Sequence, residues 1–368
     1  MEIIAFYLPQ FHPFKENDEW WGKGFTEWTN VGKAKPLFKG HNQPRVPTEL
    51  GYYDLRLPII REQQAQMARD AGVTAFCYWH YWFGNGERLI PEVFDEVLKT
   101  GKPDFPFCLG WANHSWFAKN WNSDGTTKEK LLKQQNYPGI EDARMHFKYL
   151  LKAFRDERYV KIEGKPLLYI FDPFSLPVEY IDYFRKEVKN YGYPDIYLVA
   201  NLNSPSLSCD DFTTNGKYDA VSYQRLGQKS HGGNTILDKI IRRAQENVRK
   251  VIGHIKRRPP RMNDYKEVYH SLIQDVDKRE DVIPALLPQW DHTPRSGWNG
   301  SLLINATPEY FYKHCVEALD AIKNKKNKIL FLKSWNEWGE GNMMEPDITY
   351  GRGFIDALRK AVIRSENA

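Results

Sequence analysis

At 368 residues the chain exceeds the usual size of one compact core but lies within reach of α/β barrels, so one large domain or two ordinary ones are open. Its 52 Lys and Arg against 47 Asp and Glu leave a net charge of +5, too mild to point to nucleic acid. Aromatic residues reach 14% (12 Trp, 21 Tyr, 20 Phe) while mean hydropathy stays at −0.64, a balance that suits stacking on sugar faces as well as a large core. Four cysteines without a CxxC or His-x-x-His spacing argue against zinc, and neither metal nor cofactor is expected. The opening MEIIAFYLPQ has no basic leader and no long apolar span, so a cytoplasmic protein without a transmembrane segment is expected, or a mature form whose leader has been trimmed.

In chain order, short apolar runs fall at 3–8, 73–79, 105–111, 166–171, 196–200, 220–223, 282–287 and 329–332. Helical spacing of apolar residues falls between them, at 57–71, 91–99, 142–156, 177–189, 236–254, 308–323 and 353–363. This alternation predicts buried parallel strands, and eight runs fit an α/β fold closed as a (β/α)8 TIM barrel. The competing open sheet would gather its ligand groups at one switch point. Here every run ends in polar or aromatic groups, which favours a barrel with a functional C-terminal rim. Two stretches, 11–56 and 112–138, are rich in Trp, Gly, Asn and Pro and predict long ordered loops over that rim. With no linker or repeat, residues 1–368 read as a single catalytic domain.

The last run leads into SWNEWGEGNMMEP, residues 334–346, where Glu337 and Glu340 stand three apart. On a helical turn both carboxyls project from one side. Glycosidases need such a pair, one group protonated and one ionised, and tryptophans that exclude water raise one of the two pKa values. Gly339 and Gly341 would let the chain turn tightly beside a ligand. The plainer reading has the glutamates capping a helix or pairing with surface lysines.

SWNEWGEGNMMEP resembles the eighth-strand signature of glycoside hydrolase family 99, the endo-α-mannanase and endomannosidase group, and more closely the WbsX-like proteins of polysaccharide-assembly loci. FYLPQFHP (6–13), GFTEWTNV (24–31), ELGYYDL (49–55) and LPQWDHTPR (287–295) resemble the WbsX-like pattern too, so the likeness spans nearly the whole chain. It implies a metal-free barrel acting on glycans with net retention. Carried over, Glu337 is the base that deprotonates the sugar 2-hydroxyl, which attacks its own anomeric carbon to give a 1,2-anhydro sugar. Glu340 is the acid that protonates the leaving oxygen and then activates water. The resemblance also implies that Tyr7 lines the reactive-sugar subsite, that His41 of KGHNQP closes over the sugar, and that Glu345 orients a loop donor. The chain departs from the hydrolases at Gly339, where they tend to have His, and at the third-strand end GWANHSW.

Trp79, His80, Trp82, Trp111, Asn113, His114 and Trp116 form an expected rim cluster from the second and third strands. Tyr223 and Gln224 are expected from the sixth strand, Trp290, Asp291 and Arg295 from the seventh, and Asn336 and Trp338 from the eighth; an Asp–Arg pair also suits a loop lock. The expected partner is an oligosaccharide or polysaccharide. The basic run HIKRRPPR, 254–261, reads first as a solvated loop and second as a contact for an anionic surface. Two functions compete with a mannose-directed endo-hydrolase: a glycosyltransferase of O-antigen or capsular polysaccharide synthesis, and a binding module without catalysis. No GxGxxG follows a strand, and the Asp-x-Asp at 275–277 falls in a helical pattern away from the rim, which favours the carboxyl pair over a diphosphate cradle.

Overall fold

In the computed structural model, which describes residues 1–121, 127–204, 206–214, 216–226 and 260–367, the eight apolar runs become eight parallel strands. They are β1 (Glu2–Tyr7), β2 (Ala75–Trp82), β3 (Phe107–Trp111), β4 (Lys165–Ile170), β5 (Tyr197–Leu202), β6 (Ala220–Tyr223), β7 (Ala285–Leu286) and β8 (Ile329–Leu332). Their spatial order is β6-β5-β4-β3-β2-β1-β8-β7. The run expected at 282–287 closes the ring by dividing its pairing: Ile283 N donates to Val221 O (2.8 Å) on the β6 side, and Ala285 and Leu286 pair with Phe331 and Leu332 on the other. The result is a nearly closed (β/α)8 barrel.

Alternation along each strand sets what fills it. Phe6, Trp79, Tyr169 and Phe331 meet ring to ring, with centroids 4.8–5.2 Å apart for Phe6 with each of the others, and form an aromatic layer from β1, β2, β4 and β8. The neighbouring positions face the helices: Tyr7 packs on Phe76 and Tyr78, and Trp111 meets His146 of the helix Ile140–Phe154. Helices Pro58–Ala71, Glu92–Thr100, Val178–Asn190, Pro308–Ile322 and Gly353–Glu366 follow the amphipathic segments within a few residues. Between β5 and β6 the described residues hold the short helix Asp210–Thr213. The helical pattern at 236–254 and the basic run up to Pro259 lie outside the described residues; Arg261, at its end, is exposed. Among the described residues no helix is long and apolar enough to cross a membrane.

The two long loops are more regular than their composition suggests. Residues 11–56 contain helices Lys15–Trp21 and Glu27–Lys33, anchored where Phe11, Trp28 and Tyr53 meet at 4.8–5.0 Å. Residues 112–138 contain an antiparallel pair, Trp116–Trp121 with Thr127–Lys133.

Candidate active site

Beyond β8 the chain makes a small hairpin, Asn336–Glu337 against Asn342–Met343, around one 3-10 turn at Trp338–Glu340. Glu340 ends that turn and Glu337 precedes it with non-helical backbone (φ −82°, ψ 67°), so the hairpin rather than a helical face brings the two carboxyls together. Glu337 and Glu340 come within hydrogen-bonding reach of each other. Both glycines of the turn are required by protein neighbours rather than by a ligand. A Cβ at Gly341 (φ +53°) would lie 2.7 Å from the Asp291 Cβ, and one at Gly339 would lie 1.5 Å from Glu27 Oε1.

The environments of the two carboxyls differ. Glu337 is buried, its Oε2 accepts from Ser334 Oγ (3.1 Å), and burial together with the Glu340 charge pushes its pKa up to about 8. Burial pushes Glu340 the same way, but Arg295, whose Nη1 donates to Oε1 at 2.6 Å, and then Lys333 and His292 outweigh it and bring the group down to about 2. Arg295 also donates from Nε to Glu27 Oε1 (3.0 Å), and Glu27 is only 1% exposed. These surroundings favour the proton on Glu337 and the charge on Glu340. That resting order is the reverse of the base and acid roles that the resemblance implies.

Around the pair the expected residues divide into groups. Trp79 is half-buried on the barrel axis, stacked on Phe6. Gln224 donates to the Tyr169 hydroxyl (3.1 Å) and keeps a buried, unpartnered Oε1. His114 packs on Phe171 with an unpartnered Nδ1, its pKa lowered by burial. Trp116 lies edge-on to Trp20 and Tyr81. Trp290 stacks on His292 and lies under the Lys333 ammonium, 5.2 Å from its ring centre.

Others are structural supports. Asp291 accepts from His41 Nε2 (2.8 Å), Gln43 Nε2 (2.7 Å) and Thr293 Oγ1 (2.6 Å), so the Asp locks loops and its partner is His41 rather than Arg295. Asn336 exchanges hydrogen bonds with Leu8 backbone groups, and Asn113 ties the ends of β3 and β4 through Asp172. Trp338 Nε1 donates to Glu345 Oε2 (2.6 Å), which also accepts from Tyr53 (2.8 Å); Glu345 Oε1 accepts from Gln64 (2.6 Å).

Four expectations are corrected. Tyr7 is fully buried and donates to Gln64 (2.5 Å) on the helical side of β1 rather than lining a subsite. His80 and Trp111 also face the helices: His80 Nε2 lies 2.9 Å from His146 Nε2, and the Trp111 indole donates to Trp82 O (3.0 Å). Tyr223 is 5% exposed and donates to Leu207 O (2.8 Å). In their place the structure brings Glu27, Tyr81, His292 and Lys333 to the pair; all four lie within electrostatic reach of one or both carboxyls or of Arg295. Strand alternation could have exposed the error at β2, since Trp79 facing in puts Tyr81 in and His80 out.

The aspartates at 275–277 are engaged elsewhere, Asp277 buried against Arg225 (2.6 Å) and Asp275 beside Lys278 (2.7 Å).

A protein of Xanthomonas campestris pv. campestris described as uncharacterized protein WxcX is 31% identical over 99% of this chain and 50% of its own length. The chain thus spans about half the length of the relatives it matches. In fold it is similar to the GH99 endo-α-mannosidase from Bacteroides thetaiotaomicron in complex with BIS-TRIS-propane, at 16% identity and TM-score 0.59 over 100% of this chain and 98% of that one. It is likewise similar to a glycoside hydrolase-like protein, at 15% identity and TM-score 0.57 over 98% and 93%. A family model described as glycosyltransferase WbsX matches residues 3–358, and the chain belongs to that WbsX family.

Proposed function

We propose that the protein is a glycan-active enzyme that breaks glycosidic bonds of mannose-like sugars inside a chain, with retention, through Glu337 and Glu340. The observation that carries this reading is the carboxyl pair at the barrel rim in two unlike settings, Glu337 buried with Ser334 Oγ at 3.1 Å and Glu340 against Arg295 Nη1 at 2.6 Å, so that burial raises the first and the guanidinium lowers the second. A glycosidase needs that division between an acid and a base. In the 1,2-anhydro route a carboxylate takes the 2-hydroxyl proton while O2 bonds to C1, and the C1–O bond to the leaving group breaks as the other carboxyl gives that oxygen its proton. Water then opens the three-membered ring, giving its proton to the second group while O2 recovers one from the first. The resting charges suit Glu337 as the initial acid; the order implied by the resemblance needs the proton to cross to Glu340 first.

A second reading, glycosyl transfer in surface-polysaccharide synthesis, is favoured by the family's description. The same two carboxyls would serve it if a sugar hydroxyl replaced water. Both readings are tested by incubating the protein with mannose-containing oligosaccharides and surface polysaccharides, alone and with acceptor sugars. Glu337→Gln and Glu340→Gln should each lower product formation by about 10²–10⁴-fold. Equal product from wild type and either variant would remove the pair from the reaction, and sub-millimolar calorimetric binding of a nucleotide sugar would shift the reading to a nucleotide-dependent transferase.

A further inference from the structure

Glu27 is the least expected member of the site. It comes from the loop after β1, where its backbone N–H donates to Gln10 O (3.2 Å) and starts the helix Glu27–Lys33. Its carboxylate is almost wholly buried, which is costly unless a cation answers it, and Arg295 Nε does so at 3.0 Å. The guanidinium then turns Nη1 to Glu340 at 2.6 Å, so one rigid planar fork joins two carboxylates. Residue 339 is the floor of this arrangement: a Cβ there would overlap Glu27 Oε1 at 1.5 Å and stand 3.1 Å from Arg295 Nε. No side chain larger than hydrogen fits while Glu27 holds its place.

We infer that Glu27 and Arg295 are positioning residues for the carboxyl pair: Glu27 occupies the space a side chain at 339 would fill, fixes the Arg295 guanidinium, and through it keeps the negative charge of the pair on Glu340. The inference deepens the proposed reaction and rests on that reading for its catalytic meaning, but the clamp is a property of the free protein. The groups that face the pair are few enough to separate. Lys333 comes from the end of β8, His292 and Arg295 from the loop after β7, Tyr81 from β2 and Glu27 from the loop after β1. Electrostatics alone and positioning predict opposite signs for Glu27. Removing a negative charge should, through space, make nearby carboxyls more acidic. If Glu27 instead holds Arg295, its removal frees the cation and makes them less acidic.

The test is an infrared titration of the protonated-carboxyl band assigned by its loss in Glu337→Gln, which needs no substrate. Arg295→Gln should move the midpoint of that band upward by about one pH unit, and Arg295→Lys should keep most of the wild-type value. The near-isosteric Glu27→Gln should shift the midpoint upward as Arg295→Gln does. Gly339→Ala should do the same alone and add nothing in a Glu27→Ala background, where the clashing atom is gone. A downward or absent shift in Glu27→Gln, or fully additive effects of Gly339→Ala and Glu27→Ala, would overturn the clamp. Should these shifts appear in a protein that turns over no glycan, the proposed reaction falls and the clamp stands; absent shifts in an active enzyme have the reverse meaning.

Discussion

Glu337 accepts from one hydroxyl where Glu340 accepts from a guanidinium, and that difference separates two chemically identical side chains by burial and charge rather than by sequence. Because Glu337 holds the pair's proton up to about pH 8, activity that uses this proton should decline above that point, by about tenfold per pH unit once the group is mostly ionised. A profile of kcat/KM on a cleaved glycan that stays flat through about pH 10 would show that the pair's proton is not used. The pair was legible because a spacing of three keeps two side chains close in any tight reversal of the chain, helical or not. The partners were less so: Glu27 stood in view within GFTEWTNV, but nothing local links a loop glutamate to a residue 268 positions away. Tyr7, His80 and Trp111 were misplaced because position at a strand end says that a residue is near the rim, and only the parity of the strand says which side it faces.

Among the described residues, helix and strand periodicity located the barrel elements because each buries a continuous apolar face, and two short helices stand where no such pattern does. In the loop 11–56 the helix Glu27–Lys33 is tied down through Trp28 against Phe11 and Tyr53, and the later stretch through Asp291 with His41 and Gln43, rather than by an amphipathic stripe. Those contacts give the loop its own test. In Asp291→Asn the side chain keeps one oxygen, so its NH2 must oppose either the His41 and Gln43 donors or the Thr293 N–H in a buried site. Stability should fall by about 2–4 kcal/mol. Limited proteolysis should open residues 37–45 before the barrel, and an unchanged cleavage pattern with unchanged urea midpoint would deny Asp291 its locking role.

Across the whole molecule, buried ionisable groups pull stability in opposite directions with pH. His80, His314 and His146 are held neutral by burial, the first two down to about 3, so the folded state binds fewer protons than the unfolded one below the ordinary histidine value of 6.5. Their contribution is complete above 6.5 and is lost as pH falls toward the folded values. Glu345 and Glu337 are raised by burial from 4.5 to about 7 and about 8, so their contribution is complete below 4.5 and is lost as pH rises through those values. The histidines are still half-protonated in the unfolded chain at pH 6.5, and His114 and His292 are lowered by burial as well, so the histidine gain runs past about pH 7 against the carboxyl loss, and Lys325, lowered to about 8, adds a gain from there upward. The separable part is Glu337, whose proton should cost wild type about 1–2 kcal/mol relative to Glu337→Gln between pH 6.5 and pH 8. Urea denaturation across that interval should show the gap between wild type and Glu337→Gln, whose amide has no proton to lose, change by that amount; a constant gap would mean that Glu337 does not hold a proton in the folded state there.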